Sequence, residues 1–312
     1  MSARSAECVD RGIDGPVQPS KMPYMSIVMD RSVDTPPVRI HAPDARVSPF
    51  VFASPHSGRC YPPTFLDAAA VGLPLLRRSE DAYVDQLFAE APALGAPLVE
   101  AMFPRAVVDP NRAADELDTC MFVDGPDASV VQASPRAAAG LGVVPRVAAD
   151  GRPIHAGPLS FAEAQARLRR YYRPYHACLR RLIDETRDLF GVAYLIDCHS
   201  MPSASARGAD IVLGDRFGAS CSRELVQLAE AHFRALGFAV VRNRPYAGGY
   251  ITEHYGQPLS GVHALQVEIN RGLYLNEQLV SPASGMPNLT RTLTEWMRRM
   301  MQAIDFQALA AE

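Results

Sequence analysis

No window of the 312-residue chain approaches the roughly 18 apolar residues that a membrane-spanning helix needs. The N-terminal segment also lacks the apolar core of a secretory signal, so a cytoplasmic location is the expectation. There is no long run of like charge. Lys and Arg number 31 against 34 Asp and Glu, a formal net charge of −3, which argues against nucleic acid and other partners that need a broadly basic surface. The six cysteines, Cys8, Cys60, Cys120, Cys178, Cys198 and Cys221, form no CxxC pair and no compact framework, and so read as free thiols in a reducing compartment. A GxSxG elbow is missing too. Ser57 and Ser200 each adjoin a histidine, but without that turn they do not make a serine hydrolase.

What is present is enough apolar material, 48% of residues, to bury a substantial core. Residues 1–45 are rich in Pro, Ser, Asp and Arg with little periodicity, and read as a leader that is partly disordered or draped over the rest; residues 46–312 read as a single domain. Short apolar runs bounded by turn residues predict buried strands at residues 49–53, 97–103, 192–200, 210–214, 238–242 and 264–269. Helical spacing predicts helices over residues 81–94, 161–190, 220–236 and 288–304. The second opens on a Ser160–Glu163 capping box, kinks at Pro174 and ends at Gly191. Strands alternating with helices predict an α/β fold: a mixed, largely parallel sheet with helices on both faces. Residues 115–158, rich in Gly, Pro, Asp and Ala, form a long excursion of the kind that is usually functional.

Open α/β sheets bind ligands beyond the carboxyl ends of their strands, and His56, His199 and Glu268 all fall at or near such ends. Two histidines on separate strand-end segments suit a catalytic zinc, which takes three protein ligands and keeps a position for water. Gly58 permits a tight turn after His56, and Asp197 is positioned to orient the His199 imidazole. A carboxylate ligand could come from Glu80, Asp81 or Asp85, although acidic residues there also suit a helix start. Glu268, inside an apolar run, needs a partner; it reads either as a general base or as half of a buried ion pair with Arg271. Arg105, Arg112, Arg242, Arg244 and Arg271 crowd the same segments, and their planar forks suit a substrate that carries carboxylates.

At these residues the chain resembles the N-formylglutamate amidohydrolase family. The resemblance runs in order through Ser-Pro-His56-Ser-Gly, Glu80-Asp81-Ala-Tyr-Val-Asp85, Arg105 to Asp109-Pro-Asn111-Arg112, Tyr171-Tyr-Arg-Pro-Tyr175-His176, Asp197-Cys-His199-Ser-Met201, Tyr246-Ala-Gly-Gly-Tyr250-Ile-Thr252 and Gln266-Val-Glu268-Ile-Asn270-Arg271. It implies a phosphorylase/hydrolase-like fold related to zinc carboxypeptidases and aspartoacylases, and a role in histidine degradation. It further implies one Zn2+ held by His56, an acidic residue and His199, with Glu268 as general base. The carboxypeptidase pattern has a glutamate three residues after the first histidine, where this chain has Arg59, so the acidic ligand comes from elsewhere. The family's usual residue selects Asp81 over Glu80. Arg112 then stabilises the oxyanion or clamps a carboxylate, and Arg105, Asn111, Arg244, Tyr250 and Arg271 contact a small anionic N-acyl amino acid. Two other readings stand beside this one: a metallohydrolase for a different N-acyl amino acid or a short peptide, and a non-catalytic binding protein on the same scaffold.

Overall fold

A strand flanked on both sides by neighbours and covered on both faces has no solvent side, and Phe50–Ser54 is buried at every residue. The computed structural model describes residues 35–126 and 131–309. Its main sheet contains β1 (Val38–His41), β2 (Phe50–Ser54), β3 (Leu98–Ala101), β4 (Ala193–Met201), β5 (Ile211–Gly214), β6 (Val240–Arg242) and β7 (Val262–Asn270), in the spatial order β1-β3-β2-β4-β7-β5-β6. The four central strands β3, β2, β4 and β7 are parallel; β1 and β5 run antiparallel to their inner neighbours, and β6 follows β5. The fold is the expected mixed, largely parallel α/β sheet. The edge strand β1 lies within the N-terminal stretch read as a leader, of which residues 1–34 fall outside the described residues.

Successive side chains of a strand point to opposite faces. Phe50, Phe52, Ile196, Cys198, Leu265 and Val267 therefore pack on one side, against Phe233 and Trp296 of two helices, α3 (Arg223–Ala235) and α5 (Met286–Leu309). Val51, Ala53, Leu195 and Ala264 pack on the other, against Tyr175, Leu179, Leu182 and Ile183 of α2 (Arg173–Phe190). By the same parity Asp197 and His199 share the face of Leu195, and Gln266 and Glu268 share that of Ala264. All four polar side chains thus gather on the α2 side of the sheet, toward its carboxyl edge.

Two expected helices are resolved differently. In place of a helix over residues 81–94 there is one turn, α1 (Val84–Leu87), and a separate 3-10 turn at Pro92–Leu94. Tyr83 has left-handed backbone, φ 65°, which keeps residues 81–82 out of the helix, so Asp81 and Asp85 do not share a helical face. Residues 161–190 are helical throughout, opening where the Ser160 hydroxyl accepts from Glu163 N and ending at Gly191 with φ 74°. Ahead of Pro174 the chain widens into a π-turn, Leu168–Tyr172, which accommodates a ring that would otherwise press on the carbonyl four residues back. The 115–158 excursion carries short turns at Thr119–Met121 and Pro135–Ala138, is fastened to the body by Asp109 N to Val143 O and Ala70 N to Ile154 O, and is braced internally by an Arg146–Asp118 ion pair.

Trp296, the sole tryptophan, is fully buried, stacked on Phe233 at 4.3 Å between ring centroids, with its indole N–H donated to Ala229 O. Trp296→Ala is expected to destabilise the fold by about 3–5 kcal/mol through the cavity it leaves. A denaturant melt followed by circular dichroism measures this, and a loss well under 1 kcal/mol would show that α5 is not integral to the core.

Candidate active site

Each functional side chain is delivered by a local constraint. His56 lies two residues beyond β2, in a turn braced by a 2.8 Å hydrogen bond between the Ser54 and Ser57 hydroxyls. Gly58 closes that turn; a Cβ there would overlap the carbonyl oxygen of Phe103, so the chain passes only with glycine. Asp81 N donates to His56 O, which holds the turn before α1 against the His56 segment. His199 and Glu268 are direct register partners on β4 and β7.

The result is a buried cluster in which Nδ1 of His56 and Nδ1 of His199 approach the same oxygen, Asp81 Oδ2, at 3.3 and 2.9 Å. The ligand atoms of these three residues lie within 4.8 Å of one another, an arrangement compatible with a metal ion. Each histidine also has a carboxylate at its other nitrogen. His56 Nε2 is 2.7 Å from Asp109 Oδ1, and His199 Nε2 is 3.0 Å from Asp197 Oδ2. Protonation of His56 at Nε2, toward Asp109, leaves its Nδ1 lone pair free for a cation, the orientation that a carboxylate behind a ligating histidine enforces. The Asp197 contact falls short of hydrogen-bond geometry, and the buried Asp197 oxygens and the Tyr175 hydroxyl have no hydrogen-bond partner among the described residues.

The surrounding charges fit a bound cation. Burial opposes ionisation of Asp81, yet the hydrogen bonds from His199 and His56 hold its carboxyl well below the usual range. Burial likewise disfavours the imidazolium of His199, but Asp197, Asp81 and Glu268 outweigh it and push its pKa well above the ordinary value. Glu268 is raised to about 7, by burial and by repulsion from Asp81 against the pull of His199, Arg271 and Arg105. Gln266 donates to Glu268 Oε1 at 2.9 Å and accepts from Gly249 N at 2.8 Å, tying that carboxylate to the 246–249 segment.

These groups open into a cavity of about 600 Å³, walled on one side by the excursion residues Arg136, Leu141 and Ile154. His56, Asp81, Arg105, Asn111, Arg112, His199, Glu268 and Arg271 all line it. Arg244 and Tyr250 do not. Arg244 is exposed, and the Tyr250 ring packs on His254 and His176. Glu80 is turned away, bonded to the Tyr61 hydroxyl and to Arg77. Arg271 is committed to Asp81 Oδ1 at 2.9 Å and to the carbonyl of Arg78. Asn111 Oδ1 accepts from Ile251 N, at the start of helix α4 (Tyr250–Tyr255), which brings its Nδ2 within 3.1 Å of His199 Nε2.

Sequence reasoning assigned no role to Asp109, Gln266 or His176. Gln266 carried a readable signal, being a second polar residue two positions from Glu268 in a buried strand. His176 holds the Asp109–Arg112 segment in place: its Nε2–H donates to Pro110 O, and its Nδ1 faces the Tyr255 hydroxyl at 2.9 Å.

The fold and site together define an α/β protein with a two-histidine, one-aspartate cluster at the carboxyl edge of its sheet. The chain belongs to the N-formylglutamate amidohydrolase family, whose model matches residues 48–275. It is 32% identical over 267 residues to the N-formylglutamate deformylase of Pseudomonas putida, covering 82% of this chain and 92% of that protein. It is 31% identical over 264 residues to the enzyme of that name from Pseudomonas aeruginosa, with the same coverage. The crystal structure of N-formylglutamate amidohydrolase from Ralstonia eutropha JMP134 superposes with a TM-score of 0.83 at 34% identity, over 88% of this chain and 100% of that one.

Two outcomes follow from this geometry. Asp81→Asn should strip the protein of bound divalent metal while Glu80→Gln retains it, measured as metal per chain after dialysis; equal retention would dissociate Asp81 from the cluster. Burial lowers the His176 pKa to about 4, so between pH 6.5 and 4 the unfolded chain binds the extra proton and stability falls with pH. That shift is worth about 3 kcal/mol, and urea melts of wild type and His176→Gln at pH 7 and pH 4.5 should show a shallower pH slope in the variant.

Proposed function

We propose that the chain is a cytoplasmic zinc-dependent amidohydrolase that converts N-formyl-L-glutamate and water to formate and L-glutamate. The observation that carries this reading is the buried His56–Asp81–His199 cluster with Glu268 beside it, in a member of this family. His56, Asp81 and His199 would hold the zinc, which when bound supplies Lewis acidity toward a carbonyl oxygen. Among cations, zinc suits two imidazoles and one carboxylate.

Glu268, with its pKa near 7, takes a proton from the attacking water and returns it to the departing nitrogen. A C–O bond forms at the formyl carbon as its C–N bond breaks, and the electron pair leaves with the amine. Gln266 fixes one oxygen of Glu268, so the other is left to face the water. Arg105, 3.9 Å from Asp81 and lining the cavity, supplies positive charge for the developing oxyanion. Arg112 faces the cavity and takes a substrate carboxylate, while Arg271 acts by holding Asp81.

The test is formate release from N-formyl-L-glutamate by zinc-loaded protein. Activity should disappear with a chelator and return with zinc. Glu268→Gln should lower kcat by about 10²–10⁴-fold with metal content unchanged. Full turnover in that variant would remove the general-base role, and no release from loaded wild type would discard this substrate.

A further inference from the structure

The cavity arginines divide by what they touch. Arg105 pairs with Asp109 at 2.6 Å, and Arg271 pairs with Asp81. Arg112 instead reaches only backbone carbonyls, Asn111 O at 2.9 Å and Leu141 O at 3.0 Å. Neither Arg112 nor Arg136 makes an ion pair among the described residues, and both line the cavity. Their segments are clipped together: Leu141, whose carbonyl accepts from Arg112, donates its own N–H to Arg136 O at 2.8 Å. The turn Pro135–Ala138 that carries Arg136 is capped by Ser134, whose hydroxyl also donates to Glu116 at 2.5 Å. Burial, opposed by Asp109, and then the like charges of Arg105 and Arg136 pull the Arg112 pKa below its ordinary value. Two guanidinium groups that line one cavity and make no ion pair among the described residues are stabilised most by a dianion.

We propose that Arg136, carried on the 115–158 excursion, is the specificity-determining residue of the site: with Arg112 it clamps a small dicarboxylate, taking the carboxylate remote from the scissile amide. The assignment of the scissile amide rests on the hydrolysis proposed above; the dicarboxylate clamp rests on the two arginines alone. A substrate with a neutral amide side chain would leave Arg136 unpaired, which is how the site would reject it.

Calorimetric titration of the metal-loaded protein with glutarate and with butyrate reads the clamp without turnover. Wild type should prefer glutarate. Arg136→Gln should weaken glutarate by about two- to fivefold, the scale of an ion pair made by an exposed side chain, with little change for butyrate, and Arg136→Lys should recover part of the loss. The Arg136 side chain is exposed, so folding is not at stake, and circular dichroism checks it. Formate release supplies the second readout: the variant should raise KM for N-formyl-L-glutamate and narrow its advantage over N-formyl-L-glutamine. Equal glutarate affinity in wild type and variant, or undiminished discrimination between the two formyl substrates, overturns the clamp. No formate from wild type, with the glutarate difference intact, overturns the hydrolysis and leaves the clamp standing.

Discussion

The architecture of the site depends on one buried charge, the carboxylate of Asp81. A carboxylate removed from water must be matched or neutralised, and here it is matched three times over: Oδ2 by His56 and His199, Oδ1 by Arg271. Those partners come from the turn after β2, from β4 and from the residue following β7, so one acid closes three segments that are distant in the chain. The same interaction explains why Arg271, which sequence patterning offers as a substrate ligand, is 7% exposed and engaged with protein. Its removal would leave Asp81 with the histidines that a cation must share and with Arg105 at 3.9 Å.

Parity and register turn this constraint into a site. His199 and Glu268 face each other because β4 and β7 pair in one register, and a slip of a single residue would carry one of them to the face occupied by Phe233 and Trp296. A charged side chain on that dry face would be costly, so the core that stabilises the sheet also enforces the active register. Gln266 and Asn111 extend the order outward: one joins Glu268 to Gly249, the other joins the Asp109–Arg112 segment to the start of α4. Of the groups that would perform chemistry, His199 and Glu268 are thereby fixed by strands and His56 and Asp81 by turns bonded to each other, while the groups that would select a substrate sit on loops.

That division also governs what was readable beforehand. The central strands stood out as apolar runs, and β4, β5 and β7 lie within two residues of the expected spans because a strand covered on both faces has no other pattern available. His56, His199 and Glu268 were legible as polar interruptions at strand ends. The helix over residues 81–94 was not, since nothing in Glu80-Asp81-Ala82-Tyr83 signals the left-handed backbone of Tyr83. Choosing Asp81 over Glu80 needed the family resemblance. Both are buried, and only the Asp81–His56 backbone hydrogen bond decides which one faces the histidines. Arg244 looked equivalent to Arg112 by residue type and Tyr250 was chosen through the resemblance, yet neither lines the cavity. Arg136 gave no pattern at all, because its position depends on Leu141 and Ser134 rather than on periodicity.

The distribution of charge completes the argument. Asp81, Asp109, Asp197 and Glu268 surround the two histidines and make the floor of the cavity a place for a cation. Arg112 and Arg136 make its outer wall a place for anions. Opposite fields separated within one cavity orient a ligand before any close contact forms, and a molecule with a neutral acyl amide at one position and carboxylates elsewhere can satisfy both only one way round. Mixed placement of the same residues would bind a dianion just as strongly and leave its amide pointing anywhere. In the proposed reaction, the placement of these acids around the histidines and of the arginines without ion pairs on the excursion and its supporting loop would convert affinity for an anion into alignment of a bond.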